Sequence, residues 1–414
     1  MKQFLMFASK KIALAVTGGI AAYKACEVLR EIKKAGAEVR VAMTNSAQEF
    51  VTALTFATLS EHPVAMSLFE GNEEAGIAHI DLARWCDALL VCPATANILA
   101  KAASGLADDI VSTTILATRA PIIFCPAMNS TMWANPSVQE NVEKLRKLGY
   151  GFVEPEWGAL ATQSEGEGWG RLAATPRIMQ KIKYTLLGTN ELAGKKVLVT
   201  AGATREPIDP VRFITNYASG KMGFALAEAA KLRGADVVLV AGPNHLDKPE
   251  GVKYIEAVTV AEMKAAMLTE YDHTDIVLMA AAVSDYRAKR KFDHKLKKSS
   301  KEIALELEST PDILAELGKK KSAAVHVGFA LETENGVKNA TKKLHAKNLD
   351  LIVLNDPLEP GAGFLSDTNV VTLISPDGAQ EALPKMSKFA LANIILDKVC
   401  KMIQSKYHHV AAVV

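Results

Sequence analysis

Small and polar residues stand directly after several apolar runs of the sequence, where their types could bind an anion or orient a substrate. Thr17-Gly18-Gly19 follows KIALAV, Thr95 and Asn97 follow a run that ends in VCPA, and Asn129 follows APIIFCPAM. Backbone N–H groups at a glycine turn that opens a helix bind phosphate well. The spacing at Gly18-Gly19 is not G-x-G-x-x-G, so the dinucleotide fingerprint is absent.

Each of these residues also has a structural interpretation when it is taken alone. The Gly18-Gly19 turn could serve packing only, and Asn97 and Asn129 could be N-caps of the helices that follow. His79 lies on a predicted helix in AHIDLARW, among Ile and Leu, where a histidine is usually structural. Only the combination of motifs can decide between these interpretations.

A second set of motifs begins after residue 194. Gly202 alone does not form G-x-G-x-x-G, which disfavours a nicotinamide dehydrogenase, and YASGKMG fails as a Walker loop because Met222 replaces the required Ser or Thr. Gly220-Lys221 at a helix start can still receive a phosphate. The basic block after AAAVSDY lies at a predicted strand end, where lysines would meet a triphosphate.

The elements that must position these motifs are alternating strands and helices. Continuous apolar runs such as ALLVCPA and VVLVA are typical of parallel strands buried on both faces. The pattern runs once through each half of the chain, so we predict an α/β protein with two doubly wound, Rossmann-like parallel-sheet domains in tandem. We place the domains at 1–190 and 191–414. Ligands bind at the carboxyl ends of such strands.

Composition narrows the class of protein. The 414 residues are 49% hydrophobic and 23% charged with a net charge of +2, which gives no reason to expect nucleic acid or a membrane as partner. The basic block also lacks interleaved aromatics beyond Tyr286 and Phe292. We read no signal peptide and no transmembrane span. The five cysteines show no metal-binding spacing, which favours free thiols and a cytoplasmic location.

In combination, the first-half motifs resemble the flavin-containing cysteine decarboxylases, in particular phosphopantothenoylcysteine decarboxylase, over about residues 10–175. The matching segments are Gly18 to Lys24, His79 to Leu82, Pro93 to Asn97 and Pro126 to Asn129. The resemblance implies an FMN cofactor held by Gly18, Gly19, Ile20, Thr95 and Asn97. It implies that His79 is the base and that Asn129 holds the substrate carboxylate. It also implies a homo-oligomer built on trimers, with the flavin between subunits.

The second half resembles the phosphopantothenate–cysteine ligases over about residues 193–400. The matching segments are Ala201 to Asp209, Asn216 to Gly223, Ala281 to Tyr286 and Lys295 to Lys298. The resemblance implies that CTP and Mg²⁺ activate 4′-phosphopantothenate as an acyl-cytidylate, which cysteine then attacks. Lys295 would stabilise the transferring phosphoryl charge and Asn216 would assist the second step. The implied nucleotide site comprises Ala281, Ala282, Val283, Asp285, Lys295, Pro311, Asp312, Ile313, Leu314, Phe329, Lys343 and Lys347.

The glycine-rich stretch GALATQSEGEGWGRLA, residues 158–173, is either a linker or a mobile flap. The tandem resembles the bacterial bifunctional family of coenzyme A synthesis, in which a flap with this Gly-Arg-Leu end covers the flavin site. The family pattern has a cysteine acid in that flap. Here Thr162 or Ser164 takes its position, depending on the end from which one counts.

A hydroxyl is a poor acid near neutral pH compared with a thiol. Either Glu165 or a water donates the last proton, or the reaction stalls at the oxidised ene-thiol. We therefore carry two other hypotheses. In one, only the ligase is active and the first half is a flavin-binding oligomerisation scaffold. In the other, the first half is a flavin-dependent transferase or a decarboxylase of another thiol.

Overall fold

The structure, a computed structural model, describes residues 6–69, 78–297, 304–321, 323–332, 334–355 and 366–411. The chain divides into two compact units, Met1–Gly188 and Thr189–Val414.

The N-terminal unit is built on one six-stranded parallel sheet. Its strand order is β3-β2-β1-β4-β5-β6, which is the order of a doubly wound sheet. The central strands are buried along almost their whole length, as their unbroken apolar sequences predicted. The strands are β1 (Lys11–Val16), β2 (Glu38–Met43), β3 (Val64–Ala65), β4 (Ala88–Ala94), β5 (Ile122–Pro126) and β6 (Gly151–Phe152).

Helices cover both faces of this sheet and bury their apolar sides against it. In the first of them, Ala22, Ala25, Val28, Leu29 and Ile32 are buried at helical spacing. The helices are α1 (Ala22–Lys34), α2 (Asn45–Gln48), α3 (Ala53–Ser60), α4 (Ala78–Trp85), α5 (Ala96–Ser104), α6 (Ile110–Ala117), α7 (Ser130–Ala134), α8 (Pro136–Lys147) and α9 (Thr175–Leu187).

The glycine-rich stretch forms an antiparallel hairpin of β7 (Glu156–Ala159) and β8 (Glu167–Arg171), with a 3₁₀ turn at Gln163–Glu165. Trp157 and Trp169 are register partners across it, and their rings meet edge to face with centroids 6.1 Å apart. Such an aromatic cross-strand pair stabilises a two-stranded ribbon. The stretch is therefore an ordered hairpin rather than an irregular linker.

The C-terminal unit has an eight-stranded sheet in the order β13-β12-β9-β14-β17-β18-β19-β20. The strands are β9 (Lys196–Ala201), β12 (Asp236–Ala241), β13 (Lys253–Glu256), β14 (Ile276–Met279), β17 (Val325–Leu331), β18 (Leu351–Asn355), β19 (Thr368–Ile374) and β20 (Gln380–Ser387). Six of them are parallel, whereas β19 and β20 are antiparallel to their neighbours. The predicted parallel sheet is confirmed, and β19 and β20 add an antiparallel pair at its edge, where side chains of β19 alternate between buried and partly exposed.

Two small hairpins and five helices complete the described part of this unit. The hairpins are β10 (Arg205–Pro207) with β11 (Phe213–Thr215), and β15 (Tyr286–Ala288) with β16 (Leu307–Ser309). The helices are α10 (Lys221–Leu232), α11 (Val260–Glu270), α12 (Ile313–Lys320), α13 (Gly336–Ala346) and α14 (Lys388–Ala411). None of the helices described in either unit is long and apolar enough to cross a membrane.

Candidate active sites at the strand ends of the two sheets

A cavity of about 1140 Å³ lies at the carboxyl ends of β1, β4 and β5 in the N-terminal unit. It is the position at which ligands bind to doubly wound sheets. The structure brings together there all the residues predicted to hold a flavin, together with the predicted carboxylate-binding amide: Gly18, Gly19, Ile20, Thr95, Asn97 and Asn129.

Hydrogen bonds tie the turns on one side of this cavity together. The buried Thr17 hydroxyl donates to the carbonyl of Pro93 at 2.7 Å and accepts the N–H of Thr95 at 3.2 Å. Thr95, rather than Asn97, is the N-cap of α5, since its hydroxyl accepts the N–H of Ile98. The structural interpretation of Asn97 as a cap is therefore wrong, and its side chain is available at the cavity wall.

The glycine turn approaches its neighbours too closely for any side chain at its first position. A Cβ on Gly18 would lie 2.3 Å from Cβ of Ser46, whereas a Cβ on Gly19 would meet nothing nearer than Thr95 Cγ2 at 3.6 Å. The turn precedes the N terminus of the 13-residue helix α1, whose dipole favours an anion there. Thr44 also lines the cavity, and its buried hydroxyl has no hydrogen-bond partner among the described residues.

The side chain of Asn129 makes two hydrogen bonds at the cavity wall. Its Oδ1 accepts the N–H of Thr131 at 2.9 Å and so caps α7, as its structural interpretation required. Its Nδ2 donates to Oε1 of Glu165 at 3.0 Å. Glu165 comes from the hairpin turn and lines the same cavity, so the amide and the carboxylate face one ligand space.

The two hydroxyls predicted at the cysteine position do not line this cavity. Thr162 and Ser164 lie 2.9 Å apart, oxygen to oxygen, and hydrogen-bond with each other on the exposed turn. The hairpin nevertheless contributes Ala159, Leu160, Ala161, Glu165 and Arg171 to the lining, as expected of a flap. Counting positions in the sequence did not show that Glu165, and neither Thr162 nor Ser164, lines the cavity.

His79 lies on α4 as predicted, but it is not among the residues that line the cavity of its own chain. Its Nδ1 is buried and has no hydrogen-bond partner among the described residues. Within this chain, the structure therefore does not bring the predicted base together with Asn129.

The C-terminal unit has its own cavity of about 670 Å³ at the carboxyl ends of β9, β14, β17 and β18. It collects every residue of the predicted nucleotide site except Lys295: Ala281, Ala282, Val283, Asp285, Pro311, Asp312, Ile313, Leu314, Phe329, Lys343 and Lys347. Residues that lie far apart in the sequence thus meet because successive strand ends share one edge of the sheet.

A group of charges lies at one wall of this cavity. Lys347 pairs with Asp312 at 2.8 Å, and Lys343 donates to the carbonyl of Phe329 at 2.9 Å. Burial, reinforced by the positive charge of Lys347, lowers the pKa of Lys343. Burial acts to raise the pKa of Asp312, but hydrogen bonds from Lys347 and the N–H of Ala315 hold it below its usual value.

Asn216 reaches the cavity from the loop after β11 and is held at the strand end. Its Nδ2 donates to the carbonyl of Val283 at 3.1 Å and lies 3.4 Å from that of Ala282. Lys295 is exposed and outside the lining, and its neighbour Leu296 is tethered by Asp209 and Arg212. Lys298, the last residue of the predicted motif, lies outside the described residues.

Lys221 and Lys388 also line the C-terminal cavity, and Asp367 lies next to them but outside the lining. Lys221, at the start of α10, pairs with Asp367 at 2.6 Å, and Lys388 lies beside them and donates to the carbonyl of Ser366. Burial, together with the charge of Lys221, lowers the pKa of Lys388 to about 8. The motif Gly220-Lys221 predicted a phosphate site. No local pattern predicted Asp367 or Lys388, because Asp367 lies 146 positions from Lys221 and Lys388 lies 22 positions from Ser366.

Asn355 is another lining residue that the sequence did not single out. Its Oδ1 is buried and has no hydrogen-bond partner in the described part of the chain. Within the same described ranges, no three His, Cys, Asp or Glu side chains form a group that could hold a metal ion. Mg²⁺ is commonly bound by one or two carboxylates together with substrate phosphates, so such a group is not required for it.

Family models match both halves of the chain. The family model described as Flavoprotein matches residues 5–187, and the one described as DNA/pantothenate metabolism flavoprotein C-terminal domain matches residues 192–403. Together with the two sheets and their cavities, these matches define the class: a two-domain flavoprotein of pantothenate metabolism.

The relatives identify the family within that class. The chain is 46% identical over 400 residues to the coenzyme A biosynthesis bifunctional protein CoaBC of Bacillus subtilis, covering 96% of this chain and 98% of the relative. It is 41% identical over 399 residues to that of Escherichia coli, covering 95% and 98%. The chain therefore belongs to the CoaBC family of bifunctional coenzyme A biosynthesis enzymes.

Two solved structures are each similar to part of the chain. The C-terminal domain of a CoaBC protein is 41% identical, with a TM-score of 0.46, and the match covers 52% of this chain and 100% of that one. A phosphopantothenoylcysteine (PPC) decarboxylase mutant complexed with pantothenoylaminoethenethiol is 29% identical, with a TM-score of 0.38, covering 42% and 97%.

Proposed function

We propose that the chain makes 4′-phosphopantetheine in two steps, with one step in each unit. In the C-terminal cavity, 4′-phosphopantothenate is joined to cysteine and CTP is consumed. In the N-terminal cavity, the product is decarboxylated with FMN as cofactor. The observation that carries the proposal is that each unit has a cavity at its strand ends, lined by that unit's own motif residues. Membership of the CoaBC family over almost the whole chain supports it.

The N-terminal cavity fits an FMN cofactor. Gly18 leaves no room for a Cβ beside Ser46, so the turn before α1 can present bare backbone to a phosphate. The buried, unpartnered hydroxyl of Thr44 is a hydrogen-bonding group that a bound ligand would satisfy. A flavin bound there would supply a two-electron oxidation of the carbon that bears sulfur, which lets the adjacent carboxylate leave as carbon dioxide, and the matching reduction afterwards.

The side chains of this unit orient the substrate and move protons. Asn129 holds the substrate carboxylate through Nδ2, the donor that contacts Glu165 in the structure. His79 lies outside the cavity of its own chain, and its buried Nδ1 lacks a partner among the described residues. We propose that His79 serves the cavity of a neighbouring copy in a homo-oligomer built on trimers.

In the C-terminal cavity, the carboxylate of 4′-phosphopantothenate attacks the α-phosphate of CTP and pyrophosphate leaves. The amine of cysteine then attacks the acyl-cytidylate, with Asn216 assisting from its fixed place beside Val283. Lys343 and Lys347 neutralise phosphate charge, a role for which positioned cations suffice. Lys295 would stabilise the transferring phosphoryl group from outside the lining, either by movement of its segment or from a second copy. Mg²⁺ would enter with the nucleotide.

The five cysteines are all free thiols, which supports a reducing, cytoplasmic compartment.

A second candidate function rests on the flap: neither Thr162 nor Ser164 lines the cavity, so the first unit would act as a flavin-binding scaffold with an impaired decarboxylase.

One set of measurements tests these functions. The purified full-length protein should be yellow and release FMN on denaturation. With 4′-phosphopantothenate, cysteine and CTP it should release pyrophosphate and carbon dioxide in equal amounts, and ATP in place of CTP tests the choice of nucleotide. Pyrophosphate without carbon dioxide would favour the scaffold. A colourless protein that is inert with CTP would overturn the main proposal, and carbon dioxide from a different cysteine-containing thiol would indicate a decarboxylase of another substrate.

A further inference from the structure

Glu165 is a titratable side chain that contacts the side-chain amide of Asn129 in the N-terminal cavity. Its Oε1 accepts the Nδ2 hydrogen of Asn129 at 3.0 Å, and both residues line the cavity. Glu165 is also exposed, so its carboxyl borders solvent as well as the ligand space. It can therefore exchange protons with water between turnovers.

The backbone fixes this pair of residues relative to each other. The carbonyl of Gly170 accepts the N–H of Met128 at 3.0 Å, and a Cβ on Gly170 would lie 2.1 Å from the Met128 carbonyl oxygen. A Cβ on Gly168 would lie 2.7 Å from Cβ of Ser130. The strand β8 thus packs directly on the loop that carries Asn129. At the turn, the N–H of Glu165 is held by the carbonyl of Thr162 at 3.1 Å.

We propose that Glu165 is the general acid of the decarboxylation, an inference that rests on the function proposed above. Loss of carbon dioxide from the oxidised substrate breaks a C–C bond and leaves its electron pair on the former α-carbon, delocalised onto sulfur as an ene-thiolate. The Glu165 carboxyl transfers its proton to that carbon, a C–H bond forms, and Glu165 becomes a carboxylate. The resulting thioaldehyde is the group to which the cofactor returns its two electrons.

Substrate binding, rather than the contact with Asn129 alone, would favour the protonated form of Glu165. A substrate carboxylate that binds Asn129 comes to lie beside the Glu165 carboxyl, and a neighbouring like charge favours the protonated form. Lys24 also lines this cavity. Burial, reinforced by the charge of Arg171, lowers the pKa of Lys24, so an anionic ligand would also add protons at Lys24. Proton uptake is therefore compared between chains with and without Glu165.

The first test measures binding rather than turnover. The probe is the serine analogue of the substrate, 4′-phosphopantothenoylserine, which carries the carboxylate but no sulfur. Titration calorimetry in buffers of different ionisation enthalpy gives the protons taken up on binding. Glu165→Gln keeps an oxygen that accepts from Asn129 but cannot titrate, and we expect it to take up about one proton less per site than the wild type. Equal uptake in the two proteins would overturn the proposal.

The second test follows the products of the flavin-loaded, full-length protein by mass spectrometry. We expect Glu165→Gln to release carbon dioxide but to accumulate the ene-thiol, with saturated product slowed by about 100-fold or more. Glu167→Gln is the matched control, since Glu167 lies on the same hairpin outside the cavity lining. If Glu165→Gln formed saturated product at the wild-type rate and only Glu165→Ala formed it more slowly, Glu165 would be a positioning residue. That result would overturn the inference. Absence of carbon dioxide from the wild type would instead overturn the proposed function.

Discussion

Lys347 and Asp312 form an ion pair of 2.8 Å at the wall of the C-terminal cavity, and the same carboxylate caps helix α12 by accepting the N–H of Ala315 at 3.0 Å. One side chain thus fixes the start of a helix and the position of a lysine that faces the proposed nucleotide. These two roles are separable by substitution.

Replacement of Asp312 should separate the cap from the charge. Asparagine is as good an N-cap as aspartate, so Asp312→Asn should unfold close to the wild-type temperature, whereas Asp312→Ala should lose about 1 kcal/mol of stability. Thermal unfolding of both variants measures the difference. If Asp312→Asn proved as unstable as Asp312→Ala, the ion pair with Lys347 rather than the cap would be the stabilising contact.

Lys347 should contribute to nucleotide affinity and its neighbour Lys342 should not. Lys347 is the C-cap residue of α13 and Lys342 lies within that helix, but Lys342 is exposed and outside the cavity lining. Loss of one charge-assisted hydrogen bond costs about 1.5–3 kcal/mol, so we expect Lys347→Ala to weaken CTP binding by about 10-fold or more. Titration calorimetry on the full chain, with Lys342→Ala as the control, checks this. Equal affinities would place the triphosphate elsewhere.

Lys388 should make binding in the C-terminal cavity depend on pH. Its pKa is lowered to about 8, so the side chain is a cation below that pH and loses its charge as the pH rises through it. Affinity for the anionic substrates should therefore fall between about pH 7 and 9. Lys388→Arg keeps the charge over this range, and its binding should stay level. A parallel fall in wild type and Lys388→Arg would assign the titration to another group.

The sequence indicated the strands and the edge at which ligands bind, because buried parallel strands are unbroken apolar runs and polar residues follow them. Thr95 and Asn129 were found in this way, Asn216 came from the resemblance to the ligases, and the structure places all three at cavity walls. Pairing of strands was harder to predict. Nothing local fixed the antiparallel direction of β19, although the alternating burial of Thr368–Ile374 is the pattern such an edge produces.

The sequence did not predict which residues far apart in the chain contact each other. Glu165 was one of two candidate donors, but its contact with Asn129 spans 36 positions and depends on how the hairpin packs. The ion pair of Lys221 with Asp367 spans 146 positions. His79 was predicted beside the flavin, yet a single chain does not bring it there. Spacing identifies residue types, whereas the fold decides which of them meet.

Gly170 should be intolerant of a side chain because the hairpin depends on its close approach to Met128. It has φ of 143°, and a Cβ there would meet the Met128 carbonyl oxygen at 2.1 Å. We expect Gly170→Ala to destabilise the N-terminal unit by several kcal/mol and to change the fluorescence of the Trp157–Trp169 pair. Gly166→Ala is the control, since that position has φ of 64° but no atom within 4 Å of its Cβ. Equal losses in the two variants would show that backbone conformation, not contact, is the cause.

Removal of both flap hydroxyls should leave the final proton transfer intact. Thr162 and Ser164 bond to each other and lie outside the cavity lining, and an alcohol is a far weaker acid than a carboxyl group near neutral pH. We therefore expect the double variant Thr162→Ala, Ser164→Ala to form saturated product and carbon dioxide in the wild-type ratio, measured by mass spectrometry and by trapping of the gas. Accumulation of the ene-thiol in this variant, with Glu165 still present, would assign the proton to a hydroxyl at the position where the family pattern has cysteine.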